Sequence, residues 1–548
     1  MQSVWHLLPS HTQQAIRLAD ELSVDPITGQ LLINRGIQHS LQASRFLSPR
    51  LDAWEDPTRI SGVAAAVTRL IKAIRQREPV LIFGDSDVDG LTASVILYEV
   101  LRELGADVEA KQSNRLADGY GLPGALVQEI PRSSARLLLL VDCGTNQHDD
   151  VRSLEDAGVE TIIIDHHLPI SGVWAKPHAL VNPHVTEGNG RELCSAGLAL
   201  KVAQGLLSEA GREQRLARYL DLAALGTLAD CAPLIGDNRA IVVEGVPRIV
   251  QSHRVGLARL CEQTQTSSPN AEQILKRLTP RLNASGRLGD PAAIWHLLLS
   301  REPDRIEAWL MQAERAHATT KQLYRRMIAE AQEQVNRIHF RDERVLVLSS
   351  RSWHPGLMGP LASQLVQRCG RPAIAVAMGA GQGVGSGRSV PHVNLLELVR
   401  ACERFLVRFG GHAQACGLTV EPRNMERFRA GINEHARRAL GEQGLLKMRM
   451  VDLELPLMAV TQRWVSEAER FAPFGQGNAR PTVLLRDVRI ATQSSSLAML
   501  SDGAVKMPLR GRFAEPALDG RYDVVVSPSL MNGELTLTLG DVRGGAEP

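Results

Sequence analysis

Short apolar runs that lead into an aspartate recur through the first half of the chain. Pro79-Val-Leu-Ile-Phe83 passes through Gly84 to Asp85, while Arg136-Leu-Leu-Leu-Leu-Val-Asp142 and Glu160-Thr-Ile-Ile-Ile-Asp165 each close on their own aspartate. Runs this short, with no polar residue at every second position, predict strands buried on both faces of a parallel sheet. Between them the period changes. Residues 64–75 and 90–105 have helical spacing, the second through Leu91, Val95, Leu97, Val100, Leu101 and Leu104. Alternating strand and helix predict an α/β domain whose strand ends, with their aspartates, share one edge.

Farther along, helical patterns dominate. Residues 216–228 read as an apolar helix ending in Gly226-Thr-Leu-Ala-Asp230, and Pro280-Arg-Leu-Asn-Ala-Ser-Gly-Arg-Leu288 as a polar, doubly basic loop. Residues 303–338 predict one or two long helices with an apolar face of Leu310, Met311, Ala318, Leu323, Met327, Ile328 and Ala331. A second α/β pattern begins at Arg344-Val-Leu-Val-Leu348 and carries two glycine-rich loops, 381–389 and 409–415. After about 450, strand-like runs at 482–490, 505–513, 521–527 and 534–540 alternate with glycines and predict a small β-barrel. The expected order is an N-terminal helical segment (1–60), a parallel-sheet catalytic domain (61–275), a helical connector with a basic loop (276–342), a second, smaller α/β domain (343–448) and a C-terminal β-barrel domain (449–548).

Composition narrows the functional classes. With 62 basic and 60 acidic residues the net charge is +2, so any polyanion site has to be a local patch. Seven scattered cysteines without a Cys-x-x-Cys pair fit reduced thiols better than a disulfide framework or a structural zinc. Met1-Gln-Ser-Val-Trp-His lacks a basic export signal, and no apolar run approaches membrane-spanning length, so a soluble, cytoplasmic protein is expected, with no membrane partner.

The chemistry concentrates in Gly84-Asp-Ser-Asp-Val-Asp-Gly90. Asp85, Asp87 and Asp89 repel one another unless a cation lies between them, and a hard divalent ion is the natural occupant. The start resembles a calcium loop, but Ile96 stands where that loop needs glutamate. Parallel order brings Asp142 and Asp165-His166-His167 to the same edge, and Asp230 adds a carboxylate. Such a set can hold two ions, which clamp a phosphoryl group and activate a water for in-line displacement. Imidazole beside carboxylate favours Mn²⁺, Fe²⁺ or Co²⁺ over a pure magnesium site.

In order and spacing, Gly84–Gly90, Val141-Asp-Cys-Gly-Thr-Asn146, Asp165-His-His167 and Gly226–Asp230 resemble the four signature motifs of the DHH phosphoesterase superfamily. Asn114-Arg-Leu-Ala-Asp-Gly-Tyr-Gly-Leu122, Pro280–Leu288, Trp353-His-Pro-Gly356, Gly385-Ser-Gly-Arg-Ser389, Phe409-Gly-Gly-His412 and Ala472-Pro-Phe-Gly-Gln-Gly-Asn478 are similar to further motifs of its RecJ branch. The resemblance implies a processive 5′→3′ exonuclease that hydrolyses single-stranded DNA to 5′-mononucleotides in repair and recombination, with two Mn²⁺ or Mg²⁺ ions. By motif position it implies Asp85, Asp87, Asp89, Asp142, His166 and Asp230 as metal ligands, Asp85 alternatively backing them, and catalytic roles for Asp142, His166 and His167. It implies Arg115, Arg281, Asn283, Arg287, His354, Ser386, Arg388, Ser389 and His412 as the groups that hold DNA and its 5′ phosphate. The second α/β domain resembles the DHH-associated domain and the barrel an OB-fold. That barrel departs from strand-guiding relatives in offering only Phe513 and Tyr522 for base stacking. Ser86 and Leu91 are milder departures, where related chains often have an aromatic and a small residue. A monomer working with a single-strand-binding protein and a RecQ-type helicase is expected. The competing readings are a DHH hydrolase of short oligonucleotides or cyclic dinucleotides, and an inactive Cdc45-like scaffold.

Overall fold

The computed structural model describes residues 4–544, apart from 51–53, 186–187, 267–269, 341–342, 442–447, 514–518 and 532. The expected segment limits at 1, 342 and 548 lie outside the described residues. Two units emerge: one combines residues 55–232 with 241–445, the other 1–54, 233–240 and 446–548.

In the larger unit the apolar runs form five parallel strands, in spatial order Val108–Gln112, Val80–Gly84, Leu137–Val141, Glu160–Ile164 and Ala179–Val181. The chain steps outward from Val80–Gly84 to Val108–Gln112 and crosses back to Leu137–Val141. The order therefore reverses between two strands whose carboxyl ends carry Asp85 and Asp142. A parallel sheet opens a crevice at such a point, because the connections on either side leave in opposite directions.

The second lobe of this unit has a mixed sheet ordered Leu406–His412, Ala415–Val420, Gly383–Arg388, Ala373–Met378 and Leu346–Ser350. The glycine-rich segment 381–389, expected as a loop, is therefore largely a strand, and 409–415 is the tip of a hairpin with its turn at Ala413-Gln414. Gly383, Gly385 and Gly387 are buried on the inward face, where a Cβ would strike Val376, Met378 or Cys416. Ser386 and Arg388 alternate with them on the other face. The basic loop 280–288 is also corrected. It is the helix Thr279–Arg287, in which Pro280 occupies a first-turn position and Gly286 lets the helix touch the Ser86 carbonyl.

A single 34-residue helix, Pro303–Asn336, joins the lobes. Its buried seam is Ile306, Leu310, Ala313, Thr320, Met327, Ala331 and Val335, whereas Met311 and Ala318, expected on that face, are exposed. Among the described residues no helix is long and apolar enough to cross a membrane.

The smaller unit closes a five-stranded barrel. Val483–Thr492 pairs with Leu497–Ser501, then Lys506–Arg510, Glu534–Gly544 and Asp519–Met531 follow, and the last pairs back to the first. Phe513 and Tyr522 pack against the barrel core. The N-terminal segment is not wholly helical, since Val4–Leu7 pairs in parallel with Met448–Val451. Arg239 ties this unit together by donating to the carbonyls of Phe46, Arg470, Phe471 and Ala472.

Candidate active site

Each carboxylate at the switch point is aimed by the element that delivers it. Asp87 caps the helix Val88–Glu103, its Oδ1 accepting from the N–H groups of Asp89 and Gly90 at 3.1 Å each. Gly90 is required because a Cβ there would strike the Asp85 backbone at 2.6 Å. Asp89, now one turn inside, is clamped by a second helix. The N–H groups of Ser195 and Ala196, which open Ser195–Glu209, donate to its two oxygens at 2.8 Å each. Asp230 ends the helix Leu220–Ala229.

Asp142 follows its strand with φ +61°, a left-handed conformation that few non-glycine residues adopt. Its carbonyl accepts from Tyr120 Oη at 3.0 Å and its Oδ1 from Ser195 Oγ at 2.8 Å. His166 Nε2 lies 3.4 Å from Asp142 Oδ1 and 3.8 Å from Asp89 Oδ2, and its Nδ1 lies 4.0 Å from Asp230 Oδ2.

These donors form overlapping sets whose ligand atoms lie within 4.8 Å of one another: Asp89, His166 and Asp230; Asp85, Asp87 and Asp142; and Asp142, His166 and His167. Mutually repelling carboxylates beside imidazole, with Asp85, Asp89 and Asp142 buried, fit divalent cations. The proton affinities agree. Burial, then the charges of Asp87 and Asp89, pushes Asp142 up to about 8. Burial and neighbouring carboxylates raise Asp89 and Asp230 to about 6 each. Asp85 is different, since both its oxygens accept from Arg115 and one also from Ser113 Oγ at 2.8 Å. Arg115 further pairs with Asp87 at 2.8 Å, so its guanidinium is engaged by the acidic wall.

His167 turns toward Asp165, with Nδ1 2.7 Å from Oδ1, and toward Tyr120 Oη at 2.9 Å. Burial disfavours the imidazolium, but the charge and hydrogen bond of Asp165 push it up to about 9. Conversely, burial alone would raise Asp165, and the two histidines hold it well below the usual carboxylate range.

A cavity of about 450 Å³ opens beside this wall, lined by Asp87, Asp89, Arg115 and Asp230 and, opposite, by Asn283, Arg287, Ser386 and Arg388. Arg388 donates to Ser386 Oγ at 2.9 Å, while the half-buried Arg287 makes no hydrogen bond or ion pair among the described residues. Gly356 lets the second lobe approach closely, because a Cβ there would strike the Arg287 carbonyl. Other expected phosphate-binding groups lie outside this lining. Arg281 pairs with Glu314, Ser389 Oγ donates to the Val393 carbonyl, and His354 Nδ1 accepts from Gly356 N. His412 stands on the exposed end of a strand, near enough to Arg388 and the histidine pair to feel their charge. Tyr120 and Ser195 are not among the expected site residues, although Tyr120 lies within the motif 114–122; Asp165 is expected at the same sheet edge but with no role of its own.

Residues 79–227 match the DHH family N-terminal domain, 342–438 the DHHA1 domain and 451–510 the RecJ OB domain. The chain is 32% identical over 498 residues to the single-stranded-DNA-specific exonuclease RecJ of Bacillus subtilis, covering 88% of this chain and 62% of that one. To the Salmonella typhimurium RecJ it is 31% identical over 441 residues, with 76% and 75% covered. The crystal structure of Thermus thermophilus RecJ in complex with Mn²⁺ superposes with a TM-score of 0.86 at 28% identity, covering 99% of this chain and 80% of that one. The lobes, the switch-point carboxylates and the closed barrel thus define a DHH protein with DHHA1 and OB modules. The chain belongs to the RecJ family.

Proposed function

We propose that this chain is a 5′→3′ exonuclease that hydrolyses single-stranded DNA to 5′-mononucleotides with two divalent ions, Mn²⁺ or Mg²⁺, in repair and recombination. The observation that carries the reading is the cleft, where an acidic wall faces arginine and serine across about 450 Å³. The names of the Bacillus and Salmonella relatives support the substrate, and the Thermus complex supports the metal.

Asp89, His166 and Asp230 would hold one ion, and Asp87 and Asp142, backed by Asp85, the other. When bound, the ions supply Lewis-acid stabilisation of charge building on the phosphoryl oxygens and lower the proton affinity of the attacking water. The chain's own groups do the rest. Arg287 and Arg388 offer forked donors to the terminal phosphate, with Ser386 beside them, which fixes register so that the next phosphodiester lies at the acidic wall. His167, kept protonated and oriented by Asp165 and Tyr120, presents a positive donor to the phosphoryl oxygen. A cleft this narrow excludes duplex. A cytoplasmic monomer that cooperates with a single-strand-binding protein and a helicase completes the reading.

The test is digestion of a 5′-phosphorylated, 3′-labelled single strand in Mn²⁺, beside its duplex and the Asp142→Ala protein. Shortening from the 5′ end of the single strand alone, absent in the variant, is expected. Cleavage confined to very short oligomers or cyclic dinucleotides would replace the reading with a small-substrate hydrolase. Binding without cleavage in any metal would replace it with a scaffold.

A further inference from the structure

The long helix Pro303–Asn336 distributes its charge unevenly. Its five acids, Asp304, Glu307, Glu314, Glu330 and Glu333, all lie in its first twelve or last seven residues. Three of them serve as anchors. Glu307 pairs with Arg259, Glu314 with Arg281, and Glu330 accepts from Ser352 Oγ and Trp353 Nε1 in the second lobe. Between Glu314 and Glu330 the helix carries Arg315, Lys321, Arg325 and Arg326 and no carboxylate. All four are exposed and make no ion pair or hydrogen bond among the described residues.

That arrangement has a cost. Lys321 and Arg325 stand one turn apart, a like-charge pair that weakens a helix. Helices that merely need solvation alternate signs along the exposed face, so an uncompensated run points to an anion outside the chain. The position of the run identifies the anion. Tyr324, within it, donates to the carbonyl of Pro360 at 3.1 Å and lies beside Arg287, and both Pro360 and Arg287 line the cleft. Lys321, one turn before Tyr324, and Arg325, next to it, therefore stand on the side of the helix nearer the phosphate-facing wall, with Arg315 and Arg326 farther round.

We propose that the stretch of this helix between Glu314 and Glu330 binds backbone phosphates of the strand being degraded, outside the cleft. The proposal rests on the single-stranded-DNA reading above and adds to it a second, sequence-independent anchor. It makes affinity depend on strand length and on salt, because each neutralised phosphate releases counterions.

The test removes three charges with good helix formers, as Lys321→Gln, Arg325→Gln and Arg326→Gln together, and measures binding to a long single strand across a salt series. The slope of log affinity against log salt should flatten by roughly 2, about 0.7 for each lost phosphate contact. Hydrolysis of an oligomer short enough for the cleft to hold whole should stay unchanged. Arg427, Arg437 and Arg438 are exposed on a second-lobe helix, and the same change there should leave the slope alone. An unaltered slope in the first variant, or an equal change in the second, overturns the proposal. So does a loss seen only with tailed duplexes, which would assign the surface to the complementary strand. If the unsubstituted protein binds no single strand, the functional reading itself fails and this one with it.

Discussion

The acidic wall of the cleft and the arginine wall opposite differ in how their side chains are held. Asp89 takes two backbone N–H groups, Asp87 caps its own helix, and Asp142 is gripped at both carbonyl and carboxylate. Among the described residues Arg287 has no such partner, and Arg388 is tied only to Ser386 and the adjacent Gly387 carbonyl. Cations demand donor atoms fixed to a fraction of an ångström, so the wall that receives them is preorganised by helix termini. A phosphate brings its own acceptors, so the wall that receives it keeps its donors unspent.

The comparison breaks at different places under different substitutions. Asp142→Ala should reduce exonuclease turnover to background while single-strand binding persists; residual metal-dependent cleavage would mean that the acidic wall is not the reacting centre. Ser195→Ala should weaken Mn²⁺ binding about 10–100-fold, as for lost outer supports of metal ligands. Calorimetry checks this, Ser195→Thr should restore affinity, and an unchanged affinity would show that Asp142 needs no such support. On the opposite wall, Arg388→Ala should cost roughly tenfold in preference for 5′-phosphorylated over 5′-hydroxyl ends, from about 1.5 kcal/mol for a charged hydrogen bond. Equal losses on both ends would place the phosphate elsewhere.

A smaller effect follows from acidity. Asp142 at about 8, and Asp89 and Asp230 at about 6, must shed protons before binding an ion. Mn²⁺ affinity should therefore rise from about pH 6 to pH 8, with proton release. These pKa values are raised above those of the unfolded chain, so the metal-free fold loses stability as pH rises through them. The Tm gain on adding Mn²⁺ should widen over the same interval, and a flat gain would refute the account. Least affected should be Tyr522→Leu in the barrel, which removes the aromatic face but keeps apolar packing, with strand affinity unchanged because the ring packs against the core. A clear loss would make that ring a stacking platform.

Much of this was legible in the residues. The three strands announced themselves by short apolar runs ending in aspartate, and Asp85, Asp87, Asp89, Asp142, His166 and Asp230 do converge. What escaped had physical reasons. Alternating glycines such as Gly383-Val-Gly-Ser-Gly387 normally signal a turn, yet here glycine is the inward residue of a strand packed too tightly for any Cβ, as at Gly385 and Gly387. Ser195 is merely the first residue of an apolar helix, and only the fold reveals that its hydroxyl reaches Asp142 across more than fifty positions of chain. Arg115 reads as a phosphate ligand until Asp85 and Asp87 are seen to occupy its fork.

The left-handed backbone at Asp142 carries a consequence for how this protein can change. A non-glycine residue there costs about 1 kcal/mol or more, and its buried carboxylate repels its neighbours until cations arrive. Asparagine tolerates that conformation better and bears no charge, so Asp142→Asn would make a more robust but inert protein. Selection for durability and selection for chemistry pull in opposite directions at this one position, and the aspartate records which has prevailed.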